Sequence, residues 1–158
     1  MAEPLDEARV AKLTRWFEKG IPFNAYLGLR LEVLERGRAV IRIPWTPNLI
    51  GDPTRPAVHG GVLSMLVDTT GGAACFAMLD SDDDRLSTVD LRVDYLRPGP
   101  AEDLVCEANI VRMGNRMGVT RMHIHARELP KPGEDASPIA TGTAVYSVVR
   151  RSSGTTVG

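Results

Sequence analysis

The chain has 158 residues, 43% of them hydrophobic and 25% charged, with a formal net charge of −1. That length and balance suit one soluble domain around one core. The near-neutral charge gives no electrostatic footing for a nucleic-acid partner, and no apolar run is long and uninterrupted enough to span a membrane.

Pro4–Lys19 has the apolar spacing of an amphipathic helix, with Leu5, Ala8, Val10, Leu13, Trp16 and Phe17 roughly on one side. Gly20-Ile21-Pro22 ends it. Leu27–Leu34 and Ala39–Ile43 read as strands joined by the turn Glu35-Arg36-Gly37-Arg38. In the first, Leu27, Leu29, Leu31 and Val33 are expected on one face. Thr46–Val58 holds Pro47, Pro53, Pro56 and Gly51, and reads as a loop of the length that often lines a site. A long helix follows, from His59 or Gly60 to about Leu79. It is apolar around most of its circumference, so structure must cover it on most sides.

Asp80–Arg85 is a charged turn. Four strands come next: Leu86–Leu96, Asp103–Met113, Met117–Arg127 and Pro138–Val149. In the first of these, Val89, Leu91, Val93 and Tyr95 alternate with Thr88, Asp90, Arg92 and Asp94, as in a sheet with one wet face. The tail Ser152–Gly158 is expected to be disordered. Short connections between long strands make the sheet antiparallel, and the simplest packing curves it around the central helix. The fold class is therefore α+β. The division along the chain is an N-terminal helix over 1–20, a main domain over 21–150 and a tail over 151–158. Cys75 and Cys106 lie in apolar segments without metal or redox spacing and read as reduced core thiols. With a charged N-terminus and no signal-peptide pattern, they place the protein in the cytoplasm.

The chemistry is concentrated in Val58–Asp68. His59-Gly60-Gly61 opens the long helix and presents backbone N–H groups at its positive end. Asp68 places a carboxylate inside the apolar run, which is costly unless it is bonded or has a task. Gly60, Ser64, Asp68 and Gly72 follow one another at helical spacing, with Gly61 and Gly71 beside them, so the face carrying Asp68 is open to a large substrate. The N–H groups lie roughly 10 Å along the axis from Asp68. That is too far for both to act on one carbonyl. Either the chain folds back, or the site is shared between two subunits, and sharing is the preferred arrangement. The competing reading is structural: Asp68 capping a loop or pairing with an arginine. His59 could serve as the helix cap or bond a loop backbone. His123, His125, Arg121 and Arg127 share one strand face, with no further ligands at metal spacing.

The run His59-Gly60-Gly61 with Asp68 nine positions on, followed by Thr88-Val89-Asp90-Leu91-Arg92-Val93-Asp94-Tyr95-Leu96-Arg97-Pro98, resembles the hotdog-fold acyl-CoA thioesterases, and most of all the phenylacetic-acid-pathway type. The resemblance covers about Ile21–Arg150. It implies a curved antiparallel sheet wrapped around a long helix, and a homodimer, commonly paired into a homotetramer, with sites at the subunit interface. It implies Asp68 as the catalytic acid, acting as general base or nucleophile, and the Gly60 N–H as the donor to the thioester carbonyl. His59 is implied beside it as a catalytic position.

Gly61, Thr69, Thr88, Val89 and Asp90 are implied as substrate-binding positions, the last three on the strand that lines the pantetheine channel. The family's loop Asn falls on Asn48 or Asp52, because Asp52-Pro53-Thr54-Arg55-Pro56 lengthens this loop. The implied substrate is an acyl-CoA, and no metal, organic cofactor, nucleic acid or membrane is implied. A non-catalytic acyl-CoA or acyl-carrier module is the other reading, since a fold does not fix a function. CoA phosphates would need cations, with Arg36, Arg38, Arg92, Arg97, Arg112, Arg116, Arg150 and Arg151 on offer. Trp45, Leu49, Ile50, Phe76 and Tyr95 are the apolar candidates for an acyl pocket.

Overall fold

The computed structural model describes residues 4–134 and 136–151. The tail expected over Ser152–Gly158 lies outside them. Helix α1 spans Glu7–Arg15, with Asp6 as N-cap accepting from the Arg9 N–H at 2.7 Å. It does not continue as one α-helix to Lys19. Trp16–Gly20 widens into a π-helical turn, and α2 runs over Pro22–Leu27. The first strand therefore starts later than its apolar spacing suggests. Pro22 sits in the first turn of α2, and Gly28 ends it with φ 68°, so β1 spans Arg30–Glu35.

Strand β2 covers Arg38–Ile43. The loop that follows is not featureless: it forms a 3₁₀ turn, Pro47–Leu49, and a small hairpin of β3, Ile50–Asp52, and β4, Ala57–Val58. Helix α3 spans Gly60–Phe76. Strands β5, Arg85–Tyr95, β6, Leu104–Met113, β7, Met117–Ala126, and β8, Ala140–Val149, complete the chain.

The main sheet has six strands in the order β1-β2-β6-β7-β8-β5, each paired antiparallel with its neighbour. Alternation decides its inner face: Gly118, Thr120, Met122 and Ile124 on β7, and Ala140, Gly142, Ala144, Tyr146 and Val148 on β8, are all buried. Helix α3 lies across this face. Small residues let it approach closely. A Cβ on Gly142 would stand 2.3 Å from Val67 Cγ1, and one on Gly71 would stand 2.4 Å from the Tyr146 hydroxyl. Leu13 and Phe17 of the N-terminal helical segment join the same core. Cys75 and Cys106 are free and buried, and burial pushes both thiols up to about 12.

Two bulges break the simple alternation. One, between Leu31 and Val33, turns Leu34 inward and leaves Val33 only half-buried. The other, between Thr88 and Asp90, leaves Val89 60% exposed, against the inward position that alternation gives it. Before this bulge Leu86 and Thr88 face the helix; after it Leu91 and Val93 do. Strand β5 is an outer strand of the sheet. No helix among the described residues is long and apolar enough to cross a membrane.

Candidate functional site

The candidate site residues on helix α3 fall into two regions rather than one. Its N-terminal turn holds the first. The His59 N–H donates to the Leu49 carbonyl at 2.8 Å, which ties the helix start to the 3₁₀ turn. The His59 ring is the N-cap: Nδ1 accepts from the Gly61 N–H at 2.8 Å. The proton on a neutral ring is thereby assigned to Nε2. Gly61 is thus already bonded, whereas the Gly60 N–H has no partner among the described residues. Of the two glycines, Gly60 holds the available donor.

Tyr95 stands over this turn. A Cβ on Gly60 would meet its ring at 3.4 Å, and its hydroxyl reaches the Gly60 carbonyl at 3.3 Å and the Ser64 hydroxyl. A cleft of about 380 Å³ lined by Gly60, Leu63, Tyr95 and Arg97 opens here. Asn48 is exposed on the 3₁₀ turn. Asp52 is occupied within its own loop. It accepts from the Thr54 hydroxyl at 2.6 Å and from Arg55 Nε at 3.0 Å, and these bonds, the hydroxyl first, hold its carboxyl down at about 2. Both residues belong to the loop beside His59, and neither lines the cavity at Asp68.

The second region is the middle of α3. Asp68 is half-buried, and its Oδ1 accepts from the Thr88 hydroxyl at 2.8 Å. The β5 bulge makes this contact available, because it turns Thr88 toward the helix just before the strand changes face. No hydrogen bond occupies Asp68 Oδ2 among the described residues. The Tyr146 hydroxyl donates to the Asp68 carbonyl at 2.8 Å. Burial foremost, then the charge of Asp68, pushes the Tyr146 phenol up, so it stays a protonated donor.

A second cavity of about 380 Å³ opens at Asp68, lined on α3 by Met65, Asp68, Thr69, Gly72 and Phe76. Thr69 lines it and contacts Met65 Sδ at 3.7 Å rather than the carboxylate. Val89 and Asp90 are exposed and do not line it.

Among the described residues the Asp68 side chain pairs with no arginine and accepts one hydroxyl from the sheet, which leaves half of its carboxylate free. Sequence spacing does not reveal Tyr146, or Trp16, Phe17 and Ile21, which line the Asp68 cavity from the N-terminal segment. Their contribution depends on how α1 and β8 pack, and no local pattern carries that. Of the apolar candidates, Phe76 lines the Asp68 cavity and Tyr95 stands at Gly60. Leu49 is core, and Trp45 packs at its edge, its backbone N–H donating to Asp103 Oδ1 at 2.8 Å. Of the arginines, Arg97 borders the Gly60 cleft. Arg36, Arg38, Arg92 and Arg150 pair with acidic side chains. His123 and His125 share the sheet's outer face, where burial lowers the His125 imidazole below its usual range.

An antiparallel sheet curled around one long helix, with His-Gly-Gly at the helix start and an acid in its middle, is the hotdog architecture of thioester hydrolases. Residues 56–132 match the Thioesterase superfamily. The medium/long-chain acyl-CoA thioesterase YigI of Salmonella typhimurium is 34% identical over 140 residues, spanning 81% of this chain and 86% of that protein. Its Escherichia coli K12 counterpart is 33% identical over the same shares. A protein from Shewanella oneidensis related to the thioesterase superfamily superposes with a TM-score of 0.74 at 31% identity, covering 89% of this chain and 95% of that one. A thioesterase family protein from Silicibacter pomeroyi gives 0.75 at 27%, covering 88% and 97%. The chain belongs to the hotdog-fold thioesterase superfamily and is a thioester hydrolase.

Proposed function

We propose that this chain hydrolyses acyl-CoA thioesters in the cytoplasm, at a site shared between two copies of itself. The carrying observation is the separation of the two halves of the chemistry. The Gly60 N–H is an unoccupied donor, and Asp68 presents a free carboxylate oxygen two turns further along the same helix, about 12 Å away. Neither can reach the other's substrate atom within one chain. Two copies supply both. The exposed 11-residue edge of β5 is a pairing surface that such an arrangement would cover. Pairing of dimers into a tetramer follows the family resemblance.

In this reading Thr88 holds Asp68 Oδ1, and Oδ2 takes a proton from water. The water oxygen bonds to the thioester carbonyl carbon. The carbonyl oxygen becomes an oxyanion held by the Gly60 N–H of the other copy, a donor of the kind worth a few kcal/mol in such sites. The C–S bond then breaks, and the departing CoA thiolate takes the proton from Asp68. The free Oδ2 is the atom available to take that proton. His59 keeps the helix start in place by capping Gly61. Arg97 at the Gly60 cleft is the cation best placed for a CoA phosphate. The names of the two YigI relatives favour aliphatic chains of medium to long length over phenylacetyl, and the apolar lining of the Asp68 cavity accepts such chains.

The test is thiol release from a panel of acyl-CoAs by the purified protein. Release that depends on Asp68 supports the proposal. Tight acyl-CoA binding without release would make the chain a binding module and overturn it.

A further inference from the structure

The cavity at Asp68 is a groove with a direction. Asp68, Gly72 and Phe76 are four residues apart and form one stripe along α3, about 12 Å from first to last. An extended alkyl chain with bonds of about 1.5 Å covers that distance in roughly ten carbons. The residue midway is glycine, and packing does not require it. A Cβ on Gly72 would have only the Tyr146 ring within reach, at 3.8 Å, whereas one on neighbouring Gly71 would collide with Tyr146 and Thr120. A helix-interior glycine costs about 1 kcal/mol relative to alanine. At position 72 that cost leaves the floor of the groove open.

The far end of the groove is closed by aromatic rings. The Trp16 indole meets Phe76 and Phe17 edge-on, at centroid distances of 5.0 Å each, and Phe17 meets Phe76 at 5.8 Å. Trp16 is seated on Gly20, where a Cβ would stand 2.8 Å from the indole. It belongs to the walls of three cavities, one of them an outer cleft of about 650 Å³ along Lys12, Arg15 and Lys19, and it stands between the other two. On one side lies the Asp68 groove; on the other lies a cleft of about 520 Å³, also walled by Phe76 and Leu86 and reaching the acidic turn after α3. Trp16 is 41% exposed, so its indole partitions the two spaces without being locked into the core.

Resting on the reading of Asp68 as the reacting end, we propose that the groove over Gly72 holds the acyl chain and that Trp16, backed by Phe76, sets the chain length. Acyl groups ending at the indole fill the groove. Longer ones must displace it. Trp16→Ala joins the groove to the larger cleft, and Gly72→Val raises the groove floor.

The experiment measures kcat/KM of the full chain for octanoyl-, dodecanoyl- and hexadecanoyl-CoA, with melting curves for each variant. Each methylene buried contributes about fourfold, so Trp16→Ala should raise the hexadecanoyl-to-octanoyl ratio by roughly tenfold or more, and Gly72→Val should lower it by a similar factor. The ratio is taken within each variant, so a general loss of active protein does not move it. Where Trp16→Ala does not fold, Trp16→Leu and Gly72→Val decide the matter. Folded variants whose ratios stay at the wild-type value overturn the ruler while leaving Asp68 in its role. A wild-type chain that releases CoA from none of the three substrates overturns the reading of the site, and the ruler with it.

Discussion

The first turn and the middle of α3 present different groups. At Gly60 the helix offers backbone. The useful group is an N–H, the side chain is absent, and the neighbours His59 and Tyr95 fix the turn without taking that donor. At Asp68 the helix offers a side chain. The neighbours Thr88 and Tyr146 fix one oxygen and the backbone carbonyl, and leave the other oxygen free. Each is positioned by sheet residues that close in on it, and in the proposed reaction each is incomplete alone. A helix keeps its first turn and its middle apart by its rise, so in the proposed reaction a single copy cannot bring Gly60 and Asp68 to one carbonyl.

The largest test of this contrast is Asp68→Asn. It is nearly isosteric, keeps a group for Thr88 to bond, and removes the base. Turnover should fall by roughly two orders of magnitude or more, with an unchanged melting temperature. Wild-type turnover in the folded variant would leave Asp68 a structural residue.

Next comes complementation. Gly60→Pro removes the N–H outright, and each homomeric variant should be nearly inactive. Co-refolding it with Asp68→Asn makes about half the dimers mixed, each with one intact site, so roughly a quarter of wild-type activity should return. Circular dichroism and dimer mass must first show that Gly60→Pro folds and mixes. No recovery from demonstrably mixed dimers would place donor and acid in one chain or remove Gly60 as the donor.

Thr88→Val tests the support of Asp68 and should cost about tenfold in kcat/KM, the scale of one hydrogen bond to a charged group, with the chain-length ratio unchanged. Loss of the ratio as well would mean that Thr88 shapes the groove rather than the carboxylate. The smallest effect on activity belongs to Gly71→Ala. Its Cβ would collide with the Tyr146 hydroxyl at 2.4 Å, so about 1–3 kcal/mol of stability should be lost, read as a lower urea midpoint. Gly71 and Gly72 then separate cleanly: substitution at Gly71 changes stability, and substitution at Gly72 changes the substrate profile.

Much of this was legible in the order of residues. Helix α3 announces itself by an apolar run too long for a strand, opened by glycines and closed before a charged turn. Strands β6 to β8 announce themselves as long segments joined by short connections. Asp68 stands out because a carboxylate is expensive in such a run, and the rise of a helix already separates it from Gly60. Gly60 and Gly61 look equivalent as letters; the His59 ring distinguishes them by bonding one N–H and not the other.

Tertiary structure decided the rest. Alternation places Val89 inward and Thr88 outward, and a bulge reverses both, because one extra residue flips every side chain on one side of it. The strand expected from Leu27 begins at Arg30, because Pro22 and Gly28 bracket a short helix that apolar spacing alone does not distinguish from a strand. The N-terminal segment reads as an amphipathic helix in search of a surface. Only its packing brings Trp16 and Phe17 over the groove at Asp68, since an apolar face states that it will be buried but not against what.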